Sequence, residues 1–513
     1  MLGNYIRLYN TVKFLKFRQI YFRLYYLGRT KIRKITGSTI LFSKKSKSVN
    51  LELQRSIHIS ESYFEEGEFK FLNLSTKFGD IDCIDWNYDK HGKLWTYNLT
   101  YFDFLSMDSD IDKKELIESF IKSIKDIKDG LEPFPISLRG INWIKYLSYQ
   151  NIKNQRIDDS LYAQYYILLD NLEYHLLGNH LLENGFSLLL GAYYFQDEIL
   201  YLKAKEILLE QLDEQILEDG GHFELSPMYH QIMLFRLLDS INLVQNNFWK
   251  DRELLDFLRL KAELMLGWLQ NISYKNGDIP LFNDSAKGIA PTTVQLMNYS
   301  KELNLDISSI NLLDSGYRKV TKSNYECIVD IGQIGAEYIP GHAHSDTFNF
   351  ELRIKDKDFI VDTGLSTYET CERRDIERST LSHNTVEVNG QNQSEVWGGF
   401  RVANRAKIID IKEENSSIEA THDGYMPILH TRRWTFEENR VVIVDRLSGK
   451  SKGVARLHFH PNVTREDILA HLSIDSDSFE FGEYLYSPEF NTKTTAIVVS
   501  INFLDFLEVT IEI

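Results

Sequence analysis

The sequence predicts a multidomain α+β protein: a helical bundle or toroid followed by an antiparallel β-sandwich or large antiparallel sheet. Two changes of rhythm carry this reading. Apolar residues recur at helical spacing from about residue 112 to 313, and after about Ser315 their period falls to two. Length agrees, since 513 residues exceed one ordinary core and suit two or three domains.

Each element follows from its own pattern. Leu116, Ile117, Phe120, Ile121, Ile124 and Ile127 share one helical face. Tyr162–Leu176, Leu181–Phe195, Leu200–Leu217 and Met228–Val244 read as successive helices with short polar breaks, and Leu254–Leu269 as another. Past the change of period, Phe359–Val361, Thr385–Val388, Val441–Val444 and Thr495–Ile501 read as strands, with turns at Asn389-Gly390 and Ser448-Gly449. The parts expected are a basic aromatic N-terminal segment (1–50), a helical domain (51–315) and an antiparallel β domain (316–513).

Charge is unevenly spread. The first fifty residues carry +12 with no Asp or Glu and the rest −28, together the net −16. An acidic body argues against nucleic-acid binding. In the basic head, Arg7, Lys13, Lys16, Arg18 and Arg23 interleave with Tyr and Phe. That pattern suits either an amphipathic segment on anionic lipid or a helix docked on the acidic body. The head lacks the continuous apolar stretch and small-residue cleavage site of a signal peptide. No run reaches the ~18–20 apolar residues of a membrane span. Cys83, Cys327 and Cys371 are odd in number and far apart, which suggests neither a disulfide framework nor a Cys-based zinc site. A cytoplasmic protein, peripheral to the inner face of a membrane, is the expectation.

Three polar clusters stand out. In Asn179-His180-Leu181-Leu182-Glu183-Asn184, helical spacing places Asn179, His180 and Glu183 along one edge; the alternative is an Asn-capped helix start. In Asp219–His230, Ser226-Pro227 reads as an N-cap followed by Pro at the first helical position. Tyr229 then sits at the positive end of a helix dipole, which favours phenolate and a lowered pKa; the alternative is a buried aromatic with its hydroxyl hydrogen-bonded. Finally, Gly341-His342-Ala343-His344-Ser345-Asp346 opens the alternating run Phe348, Phe350, Leu352, Ile354, so both imidazoles are expected on one face of a strand. His344, Asp362 and His383 are donors of the kind Zn²⁺ accepts.

Taken together, these fragments resemble the heparinase II/III family of polysaccharide lyases and its alginate-lyase relatives over roughly residues 90 to 460. The motifs are Gly341–Asp346, Val361–Gly364, Arg378–Thr380 with Ser382–Val386, and Gln391–Glu395 with Trp397-Gly398 and Phe400-Arg401. Upstream stand Leu94–Leu99, Ser137–Arg139 with Asn142-Trp143, Asn179–Asn184 and Pro280–Ser285. The resemblance implies an incomplete (α/α) toroid followed by an antiparallel β-sandwich, with the active site between them. It implies Asn179 or His180 on the substrate carboxylate, for which a protonated Glu183 is a further candidate by its chemistry, Tyr229 and His342 as catalytic residues, and Arg139 and Trp143 in sugar subsites. It also implies His344, Asp362 and His383 as ligands of a structural Zn²⁺.

The chemistry implied is β-elimination on an acidic polysaccharide or oligosaccharide: loss of the uronate C5 proton and expulsion of the C4 oxygen. Arg374, Arg378, Arg401 and Arg405 are further candidate cations for such a chain. Two alternatives stay open, a uronate C5-epimerase and a non-catalytic glycan-binding protein of the same fold. Absence of an export signal is the expected mark of action beside cell-envelope polysaccharide assembly.

Overall fold

The computed structural model describes residues 2–37, 46–58, 60–107, 113–250, 252–475 and 478–513; the end of the basic segment, 38–45, lies outside them. Two helices open the chain, α1 (Leu2–Val12) and α2 (Phe17–Thr36). A small antiparallel sheet over Tyr63–Lys77 precedes the helical half. That half comprises α3 (Lys93–Tyr101), α4 (Lys114–Ser123), α5 (Pro133–Tyr149), α6 (Gln155–Asp170), α7 (Gly178–Phe195), α8 (Glu198–Gln215), α9 (Pro227–Asn246), α10 (Glu253–Ile272) and α11 (Thr293–Glu302).

Helices α3, α5, α7, α9 and α11 pack side by side as an inner row, each against the next, with α4, α6, α8 and α10 behind them. This is the incomplete toroid. The rows differ in composition because they differ in burial. In the inner helix α7 every residue except His180 is buried, whereas α8 exposes a charged side and buries the other. Asn154, Asp197 and Ser226 cap α6, α8 and α9 with their side chains. Gly191 lets α7 approach α6, since a Cβ there would lie 2.7 Å from the Tyr165 ring.

The β half begins with a four-stranded sheet in the order Tyr317–Thr321, Tyr325–Asp330, Phe350–Ile354, Lys357–Ile360. A six-stranded sheet built around Ile408–Leu447 and Phe506–Glu512 and a second four-stranded sheet built around Lys452–His458 and Thr494–Leu504 complete it. Neighbouring strands are antiparallel. Phe350, Leu352, Val386, Trp434, Ile443, Val499 and Leu507 fill one sandwich core drawn from all three sheets. Tyr317, Ile328, Leu365 and Phe490 instead join the core of the helical half, so apolar packing crosses the boundary.

The head realises the docked arrangement and touches both halves. Arg33 pairs with Asp170 at 2.6 Å and Arg7 with Glu395 at 2.5 Å. Gln19 donates to the carbonyls of Leu176 and Tyr338.

Candidate active site

Three chain segments meet where the halves face each other, and backbone bonds fix their register. Asp284 N–H donates to the His342 carbonyl at 3.1 Å. His344 N–H donates to Asn283 Oδ1 at 2.9 Å. Ser226 Oγ accepts from Tyr229 N–H, capping α9, and donates to the Asp284 carbonyl at 2.8 Å. The start of α9, the Asn283–Ser285 turn and the His342–His344 loop therefore form one unit.

His342 and His344 do not lie on a strand as expected. Pro340–His342 is a 3₁₀ turn, and the strand starts at Phe350. The reason is local. Proline fixes φ and has no N–H to give a sheet, and Phe348 sits at φ 70°, outside extended backbone. The two imidazoles converge all the same, on one carboxylate. His342 Nδ1 and His344 Nε2 each lie 2.8 Å from an oxygen of Asp284. Arg374, on the short helix α12 (Glu372–Glu377), pairs with both Asp284 oxygens, Nη2 at 2.7 Å. Burial alone would raise the Asp284 carboxyl, but Arg374 and the two imidazoles outweigh it and hold it well below its ordinary range. An ionised Asp284 can only accept. His342 Nδ1 is therefore the donor to Asp284, and Nε2 faces the helical half, 3.6 Å from Glu224 Oε2.

Around that nitrogen stand residues of the helical half. The Tyr229 ring lies 3.9 Å from the His342 ring, centroid to centroid. Asn179 Nδ2 is 3.4 Å from His342 Nε2. Glu224 holds Asn179 by two bonds, accepting from its backbone N–H at 3.1 Å and from Nδ2 at 2.9 Å. The Tyr229 hydroxyl meets the Tyr368 hydroxyl at 3.2 Å, and Phe400, 40% exposed, edges the His342 ring. Asn179 does not cap α7, because the helix begins at Gly178 with Leu177 in the cap position.

The expected lowering of the Tyr229 pKa is reversed. Burial pushes the phenol well above its ordinary value, and Asp284 and Glu224 add to it. One helix terminus supplies only a partial charge, and here desolvation outweighs it.

Other expected site residues are placed elsewhere. His180 turns away to Glu173 Oε1, at 3.1 Å, beside Phe134. Glu183 is fully buried 2.9 Å from Arg236 Nε; burial raises its carboxyl against the opposing pull of Arg236. Arg139 is buried and spends its guanidinium on Gln164, Thr100 and Gly130. Trp143 is buried between Phe102 and Phe120. Neither can line a sugar subsite, because neither reaches a surface. Arg378 is also buried and donates twice to the Ala343 carbonyl, which holds the His342–His344 loop in place.

The expected Zn²⁺ ligands make a buried polar layer. His383 Nδ1 lies 2.8 Å from Asp362 Oδ2, while His344 is engaged by Asp284. His344 Nδ1 and His383 Nε2 are buried without a hydrogen-bond partner. Even so, among the described residues no three His, Cys, Asp or Glu side chains converge to hold an ion. The layer is held by imidazole–carboxylate hydrogen bonds, with the His344 and His383 rings 5.3 Å apart, centroid to centroid.

Glu224, Asp284, Tyr368 and Arg374 belong to the site without having been assigned to it from sequence. Asp284 and Glu224 lay inside segments already singled out, and Arg374 among the unplaced cations. Nothing in the sequence marked Tyr368.

Comparison with known proteins agrees with this architecture. Two adjoining family profiles match, "Heparinase II/III N-terminus" over residues 161–305 and "Heparinase II/III-like, C-terminal" over 306–501. A heparin-sulfate lyase of Bacteroides stercoris is 26% identical over 321 residues, 56% of this chain and 46% of that protein. Another, of Bacteroides thetaiotaomicron, is 25% identical over 308 residues, 50% of this chain and 41% of that protein. The matched stretch is thus less than half of either relative. Among solved structures, a heparinase III shares the fold with a TM-score of 0.62 at 16% identity, covering 95% of this chain and 90% of that one. A heparan sulfate lyase of Pedobacter heparinus does so with 0.53 at 16% identity, covering 86% and 80%.

Proposed function

Because this chain belongs to the heparinase II/III family, we propose that it is a polysaccharide lyase that cleaves a uronate-containing chain by β-elimination. One observation carries the reading: Asn179 and Tyr229 from the helical half and His342 from the β half surround one point between them.

The protonation states divide the labour. His342, oriented by Asp284 through Nδ1, takes the C5 proton on Nε2. The electron pair left at C5 spreads onto the adjacent carboxylate, where the Asn179 amide donates to the developing charge. The pair then forms the C4–C5 double bond as the C4–O4 bond breaks. Tyr229, its ring against that of His342, is the phenol placed to protonate O4. Glu224 positions Asn179.

The relatives named heparin-sulfate lyase make glycosaminoglycans the first substrates to try. The test is incubation with a panel of uronate-containing polysaccharides, following the ultraviolet absorbance of the C4–C5 double bond. Tyr229→Phe should abolish that signal and leave the melting curve unchanged; retained activity would remove Tyr229 from the mechanism. Inversion at C5 without an unsaturated product would make the chain an epimerase. Glycan binding without either product, unaltered in Tyr229→Phe and His342→Ala, would make it a binding protein.

A further inference from the structure

The helix α2 is inside out. Its Arg18, Gln19, Phe22, Tyr26, Arg29 and Arg33 share the side that grips the body. There Phe22 stacks on Tyr174 at 4.6 Å, and Tyr26 donates to the Leu172 carbonyl at 2.6 Å. The opposite side carries Phe17, Ile20, Leu24, Leu27 and Ile35, and Phe17, Leu24, Leu27 and Ile35 are 81%, 66%, 62% and 85% exposed. A surface helix of a globular protein turns its apolar stripe to the core and its charges to water; here polar and basic side chains face the protein and the aliphatic stripe faces out. Helix α1 also exposes apolar side chains, Tyr5, Ile6, Leu8 and Tyr9. Contiguous exposed apolar surface of this kind marks an interaction site.

We propose that the outer face of α1 and α2 is a docking surface for an anionic lipid bilayer. Charge selects this occupant. The first fifty residues contain no Asp or Glu, and the exposed Lys13, Arg23, Lys31 and Lys34 accompany the apolar stripe. The remaining chain carries −28, so net charge favours the head over the body at an anionic membrane. Among the described residues no helix is long and apolar enough to cross a membrane. The helices therefore lie in the interface, aliphatic side chains among the acyl chains and basic ones at the headgroups. Because the head also grips Tyr338 and Glu395, docking sets the orientation of the cleft to the bilayer. This inference is independent of the lyase reading.

Sedimentation of the full chain with phosphatidylcholine vesicles, with and without phosphatidylglycerol, tests it. The protein should sediment with the phosphatidylglycerol vesicles and be released by added salt. Leu24→Glu/Leu27→Glu should stay in the supernatant with an unchanged melting curve. Lys31→Glu/Lys34→Glu should weaken binding by about tenfold or more. No sedimentation of the wild type, or undiminished sedimentation of both variants, would overturn the proposal. So would a vesicle-free dimer that Leu24→Glu/Leu27→Glu dissolves, which would assign the face to a second copy of this chain.

Discussion

Asp284 does the most with one side chain. Its oxygens receive His342, His344 and Arg374 with no water-exposed surface. It thereby fixes which His342 nitrogen faces the helical half, much as a buried carboxylate orients the imidazole of a hydrolytic triad. Asp284→Asn keeps the volume and loses the charge. The amide can donate to an imidazole that needs an acceptor, and it leaves Arg374 buried without its counter-charge. The expected outcome is a fall in kcat of ~10³–10⁴-fold. Stability should also fall by about 3–5 kcal/mol. Steady-state kinetics beside urea unfolding would measure both; a variant with the wild-type rate would show that His342 needs no orienting carboxylate. Of this constellation, His342 and Tyr229 were legible as residues because short motifs surround them. Their shared support was not, because Asp284, His342 and Arg374 lie far apart along the chain and nothing local couples them.

Among the elements, the start of α9 is where local rules and site geometry coincide. Ser226-Pro227 forms the N-cap and first turn that its sequence signature indicates. The same hydroxyl ties that turn to Asp284. Ser226→Ala removes both bonds, and the loss should be about 1–2 kcal/mol. Thermal melting reads that loss directly. A drop in kcat at unchanged KM would further show that the cap positions Tyr229, whereas a cap serving stability alone would move only the melting midpoint. The His342 loop shows the opposite relation of sequence to structure. Alternation over Phe348–Ile354 did mark a strand, Phe350–Ile354, but extending it back through His344 failed. A hydrophobic period says which residues face a core and nothing about where backbone dihedrals leave the extended region.

In the whole molecule, the sandwich and the site are joined by one buried arginine. Arg432, on the six-stranded sheet, pairs with Asp445, its Nε 2.7 Å from Oδ1, and donates to the carbonyls of Phe348 and Asn384. Those carbonyls flank the loops that carry His344 and His383. Burial alone would raise Asp445, but Arg432 and His430 more than offset it and hold its carboxyl far below the ordinary range. A depressed carboxyl contributes stability that is present above the unfolded pKa and lost as pH falls toward the folded one. Asp445→Asn should therefore cost about 3–5 kcal/mol at neutral pH. The difference between variant and wild type should shrink as the solution is acidified, and melting midpoints across an acid series would check this. An unchanged difference would mean that Asp445 is not the titrating group.

By itself, the sequence determined the order of a helical half and a β half, the residues of the main helices, and the motifs holding Asn179, Tyr229 and His342. These are set by patterns within a few residues, which local chain geometry turns into elements directly. Only the tertiary structure decided which polar residues share a site. It buried Glu183, Arg139, Trp143 and Arg378, paired His180 with Glu173, and gathered Glu224, Asp284, Tyr368 and Arg374 around His342 and Tyr229. It also set the Tyr229 pKa above its ordinary value, where the helix terminus alone would lower it. Desolvation and hydrogen-bond partnership arise from groups brought together across the chain, and no local pattern encodes them.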